Sequence, residues 1–87
     1  MALCQELNAM IERHFSPDDV NEVRAALLSI TLDHVMARSE TNLFNARRAV
    51  LNLSKGELDK VRHYAKRAKE DFRDVIYWEG LENDARP

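Results

Sequence analysis

The chain has 87 residues, 45% of them hydrophobic and 32% charged, with a net charge of −2. This length suits a single domain, residues 1–87, and the composition excludes an intrinsically disordered chain. One cysteine excludes an internal disulfide. The chain has no apolar run of about 20 residues and no basic N-terminal start. We therefore expect a cytoplasmic protein without a membrane helix or signal peptide.

Sparse turn residues predict an all-α fold. The chain contains only two glycines and two prolines, which favours few, long elements, and helices fit this better than strands. A first, short helix is predicted over residues 2–14. Its apolar residues recur on one face with the helical period: Leu3, Leu7, Met10 and Ile11.

A strong helix-start signal follows the first helix. Ser16 is a good N-cap residue and Pro17 suits the first helical position. Asp18 and Asp19 then lie where the positive end of the helix dipole favours anions. The second helix is therefore predicted to begin at Pro17.

The second predicted helix is apolar over most of its circumference. One stripe consists of Val20, Val23, Leu27, Ile30 and His34, and a second, beside it, of Leu28, Leu32 and Val35. Such a helix is buried on more than one side, and a chain of this length can hardly cover both. We therefore expect a homodimer whose interface includes Leu28, Leu32 and Val35.

Two alternatives remain open for the end of this helix. Ser39 or Thr41 can cap a separate helix over about residues 40–53, which gives four helices and agrees with typical helix lengths. Alternatively, because no glycine or proline occurs between Asp18 and Lys55 and the apolar phase is preserved, one continuous or kinked helix runs through, which gives three helices.

A turn is predicted around Ser54, which has a glutamate, Glu57, at the spacing of a capping box. The last helix is then predicted to run from Lys55 to about Asn83, antiparallel to the preceding one, with core packing that ends near Ile76. Its apolar stripe is Leu58, Val61, Ala65, Ala68, Phe72 and Val75. The predicted fold is a short N-terminal helix followed by a long antiparallel helical hairpin, similar to a bundle.

Two adjacent aromatic residues near the end of the last helix must point in different directions. On a helical projection Trp78 falls on the flank of the apolar stripe near Tyr64, whereas Tyr77 pairs with Leu81 outside it. Three roles are open for Tyr77: a surface position over Arg73, packing on the first helix, or a partner or dimer interface formed with Leu81.

Positive charge is concentrated in the second half of the chain. One basic stripe on the last predicted helix comprises Arg62, Lys66, Lys69 and Arg73, and a second basic group, around the turn near Ser54, comprises Arg47, Arg48, Lys55 and Lys60. Such a stripe can follow a phosphate backbone. The acids close to it favour a salt-bridged, solvated face instead: Asp59, Glu70 and Asp74.

The sequence offers little for catalysis. His34 falls on an apolar stripe, where a structural histidine in the core or in the dimer interface is expected. The chain has no metal-ligand spacing, no glycine-rich phosphate loop and no nucleophile motif, so we expect no metal, no cofactor and no enzymatic activity. An enzyme remains as a third hypothesis, with a site formed only at a dimer interface around His34.

These observations predict a small, non-enzymatic helical interaction or regulatory module that forms a homodimer and has a possible protein partner. The alternative is a small nucleic-acid-binding accessory protein that uses the basic stripe. Nucleic acid is the less favoured partner, and no membrane is expected.

Overall fold

Five α-helices make up the computed structural model, which describes residues 3–84 of the chain. They are α1 Gln5–His14, α2 Val20–Leu28, α3 Glu40–Ser54, α4 Leu58–Glu70 and α5 Phe72–Asp84. Two short 3₁₀ turns, Leu32–His34 and Met36–Arg38, connect α2 to α3. Because no strand occurs in the described range, the all-α prediction is confirmed, whereas the predicted layout of three or four helices is wrong.

α3 is the central helix of the bundle. It packs against α4 and α5 and touches α1, while α2 packs against α4 and α1. Asn52 donates to Glu79 at 2.6 Å and Lys55 pairs with Glu82 at 3.5 Å, so α5 runs beside α3 in the same direction. Every helix, and the segment just after α2, contributes to the largest fully buried apolar side chains: Leu7, Ile11, Val23, Leu27, Ile30, Val50, Val61 and Val75.

α2 begins at Val20 rather than at the predicted Pro17. Ser16 and Asp19 bond to each other instead of capping a helix: the Ser16 hydroxyl donates to Asp19 Oδ2 at 3.2 Å, and the Asp19 amide donates to the Ser16 carbonyl at 2.9 Å. These bonds close a separate turn over the residues that the sequence places in the first turn of the helix.

The long middle helix of the continuous alternative does not exist, and the alternative with a break near Ser39 is confirmed. The Ser39 hydroxyl accepts the amide of Asn42 at 3.2 Å and caps α3. At the other end of the gap, the Ser29 hydroxyl donates to the Ala26 carbonyl at 2.6 Å where α2 ends. At both ends of the gap a serine hydroxyl bonds to a backbone group that would pair with another backbone group in a continuous helix. These bonds end α2 and start α3 without glycine or proline.

The predicted turn near Ser54 exists, but Ser54 does not cap the helix after it. It is the last residue of α3, is fully buried, and donates its hydroxyl to the Val50 carbonyl at 2.6 Å. The turn itself uses two residues with left-handed backbone, Lys55 at φ 50° and Gly56 at φ 82°, and Glu57 occupies the N-cap position of α4.

The predicted single last helix is also wrong, because it breaks at Asp71. This residue has an extended backbone, with φ −158° and ψ 101°, and its Oδ1 accepts the amide of Arg73 at 3.1 Å. Asp71 therefore ends α4 and caps α5 within a single residue, which turns α5 back onto α3.

The core continues beyond Ile76, where the sequence places its end. Glu79 is 8% exposed and lies between α5 and α3. Its carboxylate accepts the Asn52 side-chain amide at 2.6 Å and lies 4.0 Å from the Arg48 guanidinium. A buried carboxylate is stable only with such partners, and here both partners belong to α3.

Replacement of the two glycines should have opposite effects on stability. At Gly56 the φ of 82° disfavours any side chain, and an added Cβ would lie 2.7 Å from the His14 carbonyl oxygen, so Gly56→Ala should destabilise the fold by at least about 1–2 kcal/mol. At Gly80, inside α5, an added Cβ meets nothing within 4 Å, so the control Gly80→Ala should stabilise it by about 0.5–1 kcal/mol. Urea denaturation measures both; equal effects would contradict the turn geometry.

The contact between Asp71 and Arg73 should make stability sensitive to acid. The Arg73 guanidinium, 3.0 Å from the carboxylate, lowers the pKa of Asp71 below its ordinary value of 3.8. Because the folded state has the lower pKa, this stabilisation is complete above the ordinary value and is lost as the pH falls through the folded value.

We expect Asp71→Asn, which can still cap a helix, to be less stable than the native chain at neutral pH. The free energies of unfolding of the variant and the native chain should become equal in strong acid, where Asp71 is protonated in both the folded and the unfolded state. Denaturant titrations at a series of pH values check this, and parallel curves over the whole range would refute the assignment.

Candidate functional site

A cleft of about 430 Å³ opens beside the segment between α2 and α3. Its apolar wall is formed by Leu28, Leu32 and Leu43, and its polar groups belong to Thr31, Asp33, Arg38 and Arg47. We call it the Arg47 cleft. Its volume lies within the usual range of small-molecule sites.

Arg47 reaches from α3 to the end of α2. Its Nε donates to the Leu27 carbonyl at 3.0 Å and its Nη2 to the Ile30 carbonyl at 2.8 Å. These carbonyls lie at the C-terminal end of α2, where helices leave acceptors without intrahelical partners and where a cation is favoured. Arg47 is half-buried, and this burial lowers the pKa of its guanidinium. No carboxylate within the described range forms an ion pair with it.

The rim of the cleft has a strained backbone. Ala37 and Arg38 adopt left-handed φ values of 57° and 49°, which non-glycine residues rarely do. Arg38 forms an ion pair with Asp33 across the rim, and both side chains are largely exposed. Backbone strain of this kind is concentrated at functional sites, so it supports the Arg47 cleft as a candidate site.

A second, smaller cleft of about 230 Å³ adjoins the first. The two share Leu32, Leu43 and Arg47, so the Arg47 side chain lies where they meet. The remaining wall of the smaller cleft comes from α1 and its start and from the first turns of α3: Cys4, Leu7, Glu40 and Phe44.

The structure separates the five residues predicted to form an interface. Val35 is 7% exposed and lies in the core of its own chain. Leu28 and Leu32 are half-buried and line the Arg47 cleft. Tyr77 and Leu81 are exposed on α5, at 64% and 49%. The structure contains one chain, so a role for these residues in an interface stays a prediction.

Trp78 and its neighbour Tyr77 diverge as the helical projection implies. The Trp78 ring meets the Tyr64 ring edge to face at 6.1 Å between centroids, and the Arg67 guanidinium lies 5.8 Å from the Trp78 ring. Tyr64 and Arg67 belong to α4 and Trp78 to α5, so this contact joins two helices. The second ring, Tyr77, is left on the outer face of α5.

His34 lies outside α2, in the first 3₁₀ turn. Its Nδ1 accepts the amide of Thr31 at 2.9 Å, so this ring nitrogen helps to cap the turn. The nearest carboxylate in the sequence, Asp33, pairs with Arg38. Among residues 3–84 no cluster of three or more histidine, cysteine or acidic side chains is arranged to hold a metal ion.

The four residues of the predicted basic stripe do not lie on one helix, because the break at Asp71 places Arg73 in α5. Arg62 forms ion pairs with Glu22 and Asp59, and Arg73 with Asp71. Lys66 and Lys69 are exposed and have no ion pair within the described part of the chain. Two of the four charges are therefore compensated by neighbouring acids and two are not, and the geometry does not test binding of nucleic acid.

The bonds of Arg47 to the Leu27 and Ile30 carbonyls were not predicted from the sequence, where Arg47 belongs to the basic group around the turn near Ser54. A signal was present: Leu43 and Leu51, one turn before and one turn after it, are both buried. An arginine between two buried leucines on one helix face must bring its charge to a polar partner inside the protein or extend it to the surface.

Comparison of the chain with family models, with curated proteins and with solved structures found no match. None of the helices within residues 3–84 is long and apolar enough to cross a membrane.

Arg47→Met should destabilise the fold by about 2–3 kcal/mol, because it removes two charge-assisted hydrogen bonds and leaves the Ile30 carbonyl without its donor, while the Leu27 carbonyl keeps the Ile30 amide. Arg13→Met, at an exposed arginine of α1, is the matched control and should change stability by less than about 0.5 kcal/mol. Urea denaturation followed by circular dichroism measures the difference. Similar values for the two variants would show that the Arg47 bonds contribute nothing.

Proposed function

We propose that this chain is a small, non-enzymatic helical interaction module that pairs with a second copy through the outer face of α5. The observation that carries the proposal is the exposure of Tyr77 and Leu81, one turn apart on that helix, at 64% and 49%. Large apolar side chains that form a contiguous exposed patch are typical of association surfaces.

The composition of α5 supports this role. Apolar residues occur on its outer side as well as on its inner side: Phe72, Val75, Ile76, Tyr77, Trp78 and Leu81. One side packs on α3 and α4, where Val75 is fully buried. Tyr77 and Leu81 lie on the opposite, outer side, and no other helix of the described chain covers them.

A second copy fits this face better than an unrelated partner because the face is complementary to itself. Two α5 helices packed antiparallel about a two-fold axis place Tyr77 of each against Leu81 of the other. The same pair of residues then contributes to the interface from both copies, as a symmetric dimer requires.

Self-association also suits the size of the chain. A domain of this length buries only about 60–65% of its unfolded surface, so its own core provides a thin margin of stability. Pairing of exposed aromatic and aliphatic side chains is a common way to increase that margin.

The purified chain should be a dimer at high micromolar concentration, and Leu81→Lys should weaken dimerisation at least about tenfold, because each interface would contain two lysines in place of apolar contacts. Met36→Lys is the matched control, since Met36 is a similarly exposed apolar residue, 60% exposed, on the segment before α3. Sedimentation equilibrium measures both.

A monomeric native chain at these concentrations would overturn the proposal. Dissociation by Met36→Lys, with Leu81→Lys still dimeric, would place the interface on a different face and would overturn the assignment to α5.

A further inference from the structure

The Arg47 cleft combines a half-buried cation with an apolar wall, and this combination points to a class of ligand. Two arginines but only one carboxylate line the cleft. Asp33 is paired with Arg38 at the rim, so the positive charge of Arg47 is not balanced by the lining. A partly desolvated cation without a counter-ion is favourable to an incoming anion.

Arg47 also has donors to spare. A guanidinium carries five N–H groups, and the carbonyls of Leu27 and Ile30 engage only Nε and one donor of Nη2. Nη1 has no hydrogen-bond partner within the described residues. Every buried side-chain nitrogen in this range does have a partner, so Nη1 is not buried. Nη1 must therefore reach solvent, and the clefts that Arg47 lines are the openings next to it.

The rest of the wall limits what kind of anion fits. Leu28, Leu32 and Leu43 present aliphatic surface, which cannot solvate a highly charged group such as a phosphate. A single negative charge is enough to balance Arg47. The acid of the adjoining cleft, Glu40, is exposed and forms no ion pair with Arg47 in the described structure, so it does not fill this role.

We propose that the Arg47 cleft binds a small aliphatic carboxylate. The carboxylate accepts hydrogen bonds from Nη1 of Arg47, and the alkyl tail lies against the three leucines. The existing bonds to the α2 carbonyls hold the guanidinium in place, so that little side-chain entropy is lost when the ligand binds. The site lies apart from the outer face of α5 and acts independently of it.

Octanoate is the probe, titrated against the full-length chain by calorimetry and by NMR. We expect saturable binding of one octanoate per chain, with shifts at Arg47 Nε–H and at the methyl groups of Leu28, Leu32 and Leu43. Octanol tests the tail without the charge, octylamine tests the opposite charge and acetate tests the charge without the tail. Each should bind at least about tenfold more weakly than octanoate.

Two variants examine the charges separately. Arg47→Gln should weaken octanoate binding at least about tenfold, because it removes the cation while retaining a donor for the α2 carbonyls. Should Arg47→Gln fail to fold, Asp33→Asn still tests the proposal: its side chain is 72% exposed, and loss of the neighbouring negative charge should tighten binding about threefold.

Several results would overturn the carboxylate site. They are equal binding of octanol or octylamine, shifts confined to another surface, unchanged binding to a folded Arg47→Gln, or unchanged or weaker binding to Asp33→Asn. Tighter binding of a short peptide ending in leucine would overturn it in favour of a peptide C-terminus. Leu81→Lys should bind octanoate as the native chain does, so failure of the dimer proposal leaves this test intact.

Discussion

The bonds from Arg47 to the carbonyls of Leu27 and Ile30, at the end of α2 and just beyond it, join α3 to α2. α2 has only nine residues, too few for a helix to be stable alone, and its C-terminal end carries acceptors that need donors. The Arg47 guanidinium supplies two of them from α3. This contact holds the chain that leaves α2 against α3, next to the buried Ile30 side chain.

Single polar residues convert the hairpin expected from the sequence into a bundle. Ser39 caps α3 after the chain has left α2, and Asp71 ends α4 and caps α5. Each break lets a segment fold back on α3 instead of extending away from it. Glu79 then lies in the interface between α3 and α5, where Asn52 satisfies its carboxylate. Local hydrogen bonds thus decide the tertiary arrangement, even where the apolar stripe continues without interruption.

The two candidate surfaces differ in shape and chemistry, which suits different partners. The outer face of α5 is convex and carries Tyr77 and Leu81, and a convex helix face can pack against a copy of itself. The Arg47 cleft is concave and pairs a cation with aliphatic walls, which suits a small amphipathic ligand. Leu28 and Leu32 line this cleft, and their role in a dimer interface stays a prediction.

The sequence by itself determined the helical class, the stripes that supply the core and the place of the turn near Ser54, because periodicity and turn residues act over a few neighbouring positions. It also predicted that Tyr77 and Leu81 lie outside the main stripe. Only the tertiary structure decided that the predicted helices break at Ser39 and Asp71 and that Arg47 bonds to α2. In each case a polar side chain can either face solvent or bond to a backbone group, and the sequence does not say which. At Arg47 the backbone partners lie 17 to 20 residues away, beyond the reach of any local pattern.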